Sequence, residues 1–333
     1  MSNKVHFKGF NGIRFFAAFA VIITHIEGFK SKANFANISS ITHQLGKHGV
    51  TIFFVLSGFL ITYLILEEKK KYQTIDIKKF YIRRILRIWP LYFFILLLGI
   101  AVLPFVFYPN YFESPINKDL PFIIVLSVFF LPNLVLIKYG SFFSIGVLWS
   151  IGVEEQFYLL WPWFINKLDS IKSIITLVFF YCIIKYLFTF LYLFQITKYF
   201  SVFQTISQLM SHDSIIIGAL FGKIYYTYRE KFIAIITRKT VFFSSISIWL
   251  LLLYLDIKFN INKNGFFSVA YALLYVVLIV NASFNTYSAI FEIKIFNYLG
   301  KISYGIYMYH SIVIALLLSL ISKYLNTNNT LLF

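Results

Sequence analysis

Two residues in the first apolar run could do chemistry together. The run reads FNGIRFFAAFAVIITHI (residues 10–26), and Arg14 and His25 are the only side chains in it that can carry charge. They stand eleven residues apart, close to three helical turns. One helix face would therefore carry a guanidinium and an imidazole roughly 16 Å apart along its axis. Holding ionisable groups inside lipid costs free energy, so such a pair either faces a polar cavity or escapes it, with Arg14 snorkelling to the interface and His25 closing the far end.

Four further groups have residue types suited to chemistry. In FYIRRILRIWPLYFF, Arg84 and Arg87 are three apart and hence neighbours on a helix face. Two guanidinium forks at the mouth of a span suit the phosphates of an anionic donor, or they serve as ordinary basic anchors. SIGVLWSIGVEEQFYLLWP holds Glu154 and Glu155, which point about 100° apart, so that one could face a cavity and the other the interface. A carboxylate here is either functional or paired with an arginine from another helix. Asp213, after Ser211-His212, is a candidate for a substrate cavity or a helix cap. In YLGKISYGIYMYHSIVIALLL, Ser303, Tyr307 and His310 fall at i, i+4 and i+7, one stripe of a helix whose polar groups need partners. Ser57-Gly58 in KHGVTIFFVLSGFLITYLIL reads as a packing notch for another helix.

The elements that position these groups follow from composition. The 333 residues are 59% hydrophobic and only 13% charged, with mean hydropathy +0.78. A soluble domain would carry about a quarter charged residues. Ten apolar peaks lie near 10–27, 47–66, 88–107, 121–137, 145–165, 172–194, 207–226, 241–257, 266–284 and 298–322. The expected architecture is all-α: a polytopic transmembrane bundle of about ten helices forming one domain over 1–333. Pro90, Pro104, Pro121 and Pro162 are expected at helix ends. The first run lacks a small-residue cleavage site and reads as a retained helix.

The net charge of +17 does not point to nucleic acid, because the basic residues flank apolar runs as the positive-inside rule requires. The stretch 67–87 reads as a cytoplasmic loop with Lys69, Lys70, Lys71, Lys78, Lys79, Arg83, Arg84 and Arg87, which places the N-terminus in the cytoplasm as well. Counting ten crossings, however, puts the basic loop 227–240 outside, so either one segment between 88 and 226 does not cross or that loop breaks the rule. The single cysteine, Cys182, excludes a disulfide framework and a Cys/His metal cluster, and no metal is expected. No feature specifies an oligomeric state.

The Arg14-x10-His25 spacing, the FFVLSGFLIT run, Arg84-x-x-Arg87 before Trp-Pro, LWSIGVEEQFYLLWP and SYGIYMYH occur in an order that resembles the acyltransferase family 3 membrane proteins, over nearly the whole chain. The resemblance implies a ten-helix enzyme of the bacterial inner (cytoplasmic) membrane. Such an enzyme moves an acyl group, acetyl by the family's habit, from cytoplasmic acetyl-CoA to a hydroxyl of a lipid-linked or surface carbohydrate such as O-antigen, capsule or exopolysaccharide. By position it implies catalytic roles for His25, Arg14 and Glu154, and substrate-binding roles for Arg84, Arg87, Tyr307 and His310. His25 would deprotonate the acceptor or take the acyl group itself; Glu154 would orient the imidazole; Arg14 would meet the donor's anionic part or its thioester carbonyl. Many members have Asp where Asn11 and Thr51 stand. No appended SGNH-type domain is expected. The competing reading is a proton-coupled transporter or exporter of a sugar or small metabolite, to which in-membrane Arg, His and Glu are equally suited, although neither internal repeats nor paired broken helices are evident.

Overall fold

A computed structural model describes residues 7–32, 35–103, 119–139, 146–168, 170–195, 200–259, 265–284 and 288–324. The described residues form helices and no strand. In chain order these are α1 (Phe10–Lys32), α2 (Ser39–Tyr72), α3 (Ile77–Leu97, continued by a π-turn over Leu98–Val102), α4 (Leu120–Val128), α5 (Pro132–Tyr139), α6 (Leu148–Lys167), α7 (Ile171–Leu193) and α8 (Phe200–Leu209). They are followed by α9 (Asp213–Thr227), α10 (Arg229–Ile236), α11 (Lys239–Phe259), α12 (Ser268–Phe284), α13 (Ser288–Phe291), α14 (Lys294–Lys301) and α15 (Ser303–Tyr324). Five segments, Phe10–Ser31, Thr42–Tyr72, Ile77–Val102, Ile171–Leu193 and Lys239–Phe259, are long and apolar enough to cross a membrane. The all-α membrane architecture is as expected.

The chain divides into two compact units. Unit 1 comprises Met1–Phe19, Lys47–Ile75 and Phe157–Ser303; unit 2 comprises Ala20–Gly46, Asp76–Gln156 and Tyr304–Phe333. Helices α2 and α9 of unit 1 meet through their backbones. A Cβ on Gly58 would stand 1.9 Å from the Ile215 carbonyl oxygen, and one on Gly218 2.2 Å from that of Val55, so α2 and α9 touch main chain to main chain. Small residues permit this approach where lipid offers no hydrophobic force between helices. Gly58 is thus the expected packing notch. Phe7, Phe59, Tyr63 and Tyr225 close the same end of the unit, with Phe7–Tyr63 rings 5.1 Å apart and Phe7–Tyr225 rings 5.8 Å apart.

Unit 2 departs from expectation at residues 121–137, which form two helices rather than one crossing. At about 1.5 Å per residue, the nine residues of α4 and eight of α5 reach about 13 and 12 Å, and neither spans a core of about 30 Å. The break is a helix C-cap: Leu131 N donates to Leu126 O at 2.8 Å, Phe130 N to Ser127 O at 3.2 Å, and Phe130 has φ 58°. A left-handed phenylalanine is strained and must be held from outside. Its ring packs on Trp89, Tyr92 and Phe93 at 5.2, 4.6 and 5.7 Å, and its carbonyl accepts Gln156 Nε2 at 2.7 Å. Pro132 follows, with no N–H to offer a continuing helix.

Other expectations are corrected by helices that run past the apolar runs. The stretch 67–87 is two helix ends joined by Gln73–Asp76, because Lys- and Glu-rich sequence propagates a helix into water. Asp76 caps α3 by accepting Lys79 N at 2.9 Å, and its hydrogen bonds to Lys79 hold its carboxyl below the usual range, so this contribution fades as pH falls through that pKa. Because α3 starts at Ile77, Pro90 lies inside it; Pro162 likewise lies inside α6, whereas Pro121 stands at a helix start as expected. Pro104 falls outside the described residues.

The side of loop 227–240 is set by bonds within unit 1. Asn281 Nδ2 donates to Ile236 O at 3.1 Å, Ser283 Oγ donates to Lys8 O at 2.7 Å, and Gly9 N donates to Glu292. Tyr226 lies against Tyr63 with rings 6.0 Å apart, and Lys69 Nζ donates to Asn166 O at 3.3 Å. The loop therefore shares one end of the unit with Lys8 and Lys69. In a Cys182→Ser background, Lys231→Cys and Lys69→Cys should be labelled by a membrane-impermeant maleimide from the same side of sealed vesicles; labelling from opposite sides would contradict this arrangement.

Candidate functional site

Six of the eight residues singled out from the sequence belong to unit 2: His25, Arg84, Arg87, Glu154, Tyr307 and His310. The imidazoles of His25 (α1) and His310 (α15) meet edge to face, with ring centroids 4.9 Å apart. His310 is buried, with Nδ1 2.5 Å from Tyr307 O and Nε2 3.4 Å from Ser311 Oγ. A ring nitrogen facing a carbonyl must carry the hydrogen, so Nδ1 of His310 is a donor, and in the neutral ring Nε2 then keeps its lone pair. One turn away, the buried Tyr307 hydroxyl bonds Ser150 Oγ at 2.8 Å, and Ser150 Oγ donates to Val147 O at 3.2 Å.

Helix α6 places Ser150 and Glu154 one turn apart on one face. Glu154 lies near Tyr304 and Tyr307, and Arg87 lies near Tyr304. Glu155 faces α3, not the membrane interface: its Oε2 accepts Trp89 Nε1 at 2.9 Å, and Arg84 acts on it. The neighbouring Gln156 donates to Phe130 O and, at 3.1 Å, to Asn133 Oδ1. Tyr304 donates to Ile88 O at 2.9 Å, tying the start of α15 to α3. Unit 2 thus gathers an imidazole pair, a phenol–hydroxyl pair, carboxylates and two guanidinium groups, the parts needed to move a proton and hold an anionic substrate. Ser150, Trp89, Glu155 and Tyr304 complete it. Glu155 was legible beside Glu154, and Ser150 had a signal in its i, i+4 relation to Glu154; Trp89 and Tyr304 had none.

Arg14 and Asp213 belong to unit 1. Arg14 shares the continuous helix α1 with His25, as the spacing required, and donates to Asn11 Oδ1 at 3.1 Å. Asp213 opens α9; its Oδ2 accepts Lys185 Nζ at 2.8 Å and the Ser268 hydroxyl, with Lys185 and Asp213 both buried. The preceding residue, His212, makes no side-chain cap bond. The Thr51 hydroxyl donates to Lys47 O in its own helix at 2.8 Å.

Residues 7–333 match the family model described as an acyltransferase domain. This chain belongs to acyltransferase family 3. The family 3 acyltransferase domain is similar to O-acetyltransferase OatA of Staphylococcus aureus, 25% identical over 93% of this chain and 51% of that protein. It is also similar to peptidoglycan O-acetyltransferase OatA of Listeria monocytogenes, 33% identical over 49% of this chain and 25% of that one. To the putative peptidoglycan O-acetyltransferase YrhL of Bacillus subtilis it is 32% identical, over 48% of this chain and 24% of that one. The chain therefore spans about half the length of the Staphylococcus aureus relative and about a quarter of the other two, and no solved structure matches it. Membership and its apolar helices make it a multi-pass membrane protein of an acyltransferase family.

The Trp89–Glu155 bond anchors α3, and with it Arg84 and Arg87, to α6. Trp89→Phe should destabilise the purified protein by about 1–3 kcal/mol, read as a lowered thermal midpoint. A midpoint equal to that of the wild type would show that this bond contributes nothing to stability.

Proposed function

We propose that this chain transfers an acetyl group from acetyl-CoA to a hydroxyl of a cell-wall carbohydrate, peptidoglycan foremost among acceptors because two of its relatives carry that name. The inner (cytoplasmic) membrane is the proposed location, with the N-terminus, Lys69 and loop 227–240 in the cytoplasm, where basic residues accumulate. The observation that carries the reading is the edge-to-face pair of His25 and backbone-bonded His310, in the same unit as Arg84 and Arg87.

In this reading Arg84 and Arg87 hold the CoA phosphates at the cytoplasmic mouth. His25 takes the proton of the acceptor hydroxyl as its oxygen attacks the thioester carbonyl. The C–S bond breaks, and the imidazolium returns the proton to the departing thiolate. Glu154 favours the imidazolium, and His310 and Tyr307 set the ring and line the acceptor side. Arg14 meets the donor from α1, on the face it shares with His25. Asp213, held by Lys185, is a further candidate for binding substrate within unit 1. Membrane lipid surrounds both units and supplies the lipid-linked acceptor. Arranging the chemistry along a spanning helix lets the acyl group reach the far side while CoA stays in the cytoplasm.

Proteoliposomes given radiolabelled acetyl-CoA on the Lys69 side should label a muropeptide or glycan acceptor on the opposite side, with His25→Ala reducing the rate at least about a hundredfold. An active His25→Ala protein would remove His25 from the reaction. Wild-type protein that moves sugar across the membrane without acetylating it would be a transporter instead.

A further inference from the structure

At the start of α1, four polar side chains from two distant parts of unit 1 form one run of hydrogen bonds. Glu292 accepts Gly9 N–H through Oε1 and Asn297 Nδ2 through Oε2, the latter at 3.4 Å. Asn297 Oδ1 accepts Asn11 Nδ2 at 2.9 Å, and Asn11 Oδ1 accepts Arg14 Nη1 at 3.1 Å. The surrounding fit is tight. A Cβ on Gly300 would stand 1.8 Å from Asn11 O, and the Phe296 ring lies 5.1 Å from Phe15 and 4.9 Å from Phe16. Helix α14 is therefore clamped on α1, and the amides have little freedom except to flip.

This run has a direction. A primary amide presents a carbonyl on one side and an NH2 on the other, and a flip exchanges them with almost no change of shape. A carboxylate only accepts and a guanidinium only donates. Glu292 compels Asn297 to turn its NH2 toward it. The Asn297 carbonyl then meets the Asn11 NH2, and the Asn11 carbonyl is left for Arg14. Were both amides reversed, Asn11 would present an NH2 to the guanidinium, donor against donor.

We propose that Glu292 and Asn297 are positioning residues for Arg14, imposing through Asn11 the one hydrogen-bond polarity that holds the guanidinium toward the acyl donor. This rests on the reading in which Arg14 serves acyl transfer.

Glu292→Gln is nearly isosteric and makes a pointed test. Its carbonyl must still accept Gly9 N–H, so its NH2 faces Asn297 and reverses both amides. Asn11→Asp repairs the reversal, since a carboxylate accepts from Asn297 on one side and from Arg14 on the other. In acetyl-transfer assays on the full chain in proteoliposomes, Glu292→Gln should raise KM for acetyl-CoA about tenfold with kcat and thermal midpoint little changed. Asn11→Asp/Glu292→Gln should return within about twofold of wild type. Asn297→Leu, which cuts the run, should fall in the same direction and be rescued by the same change. Wild-type kinetics in Glu292→Gln and Asn297→Leu, or loss that Asn11→Asp does not rescue, would overturn the proposal. Arg14→Ala separates the two readings: full activity in Arg14→Ala removes Arg14 from the reaction and the relay with it, whereas an inactive Arg14→Ala beside a normal Glu292→Gln sinks the relay alone.

Discussion

The hydrocarbon core of a membrane solvates no polar group, so every charge, amide and hydroxyl carried into it must find its partner in the protein. That requirement organises both units. Lys185 is held by Asp213 and Ser268, Trp89 by Glu155, Tyr307 by Ser150, and the strained carbonyl of Phe130 by Gln156. Where attraction between apolar surfaces is absent, α2 and α9 gain contact by bringing glycine-lined backbones together. Replacing these polar pairs by apolar side chains would cost a purely structural bundle little. Two imidazoles in contact, with two guanidinium groups in the same unit, are therefore read as machinery.

What could be read in the sequence was what periodicity and spacing govern. The helical class, the shared face of Arg14 and His25, the Tyr307–His310 stripe and the Gly58 notch all depend on residues within a few turns of one another, and all stand in the structure. What could not be read depends on distant partners. A hydropathy average runs through Phe130 unbroken, because its left-handed backbone is tolerated only within the cage of Trp89, Tyr92 and Phe93 and against Gln156. Likewise the sequence places Glu154 and Glu155 100° apart, but only the position of Trp89 decides which of them faces α3. The partners of Asp213 come from α7 and α12, and no local pattern announces them.

Position 11 shows how one requirement can be met in two ways. A carboxylate at this position would accept in any orientation. This chain carries an amide, whose flip matters, and in the proposed relay a carboxylate 281 residues away, at Glu292, sets that flip through Asn297.

The central claim is that His25 faces water and the acyl donor and not lipid. Substituted as cysteine in a Cys182→Ser background, position 25 can be titrated with a water-soluble methanethiosulfonate reagent with and without acetyl-CoA. Rapid modification that acetyl-CoA slows is the result required by a general base beside a bound thioester. A residue 25 that reacts only with lipid-soluble reagents, at a rate indifferent to acetyl-CoA, would contradict it.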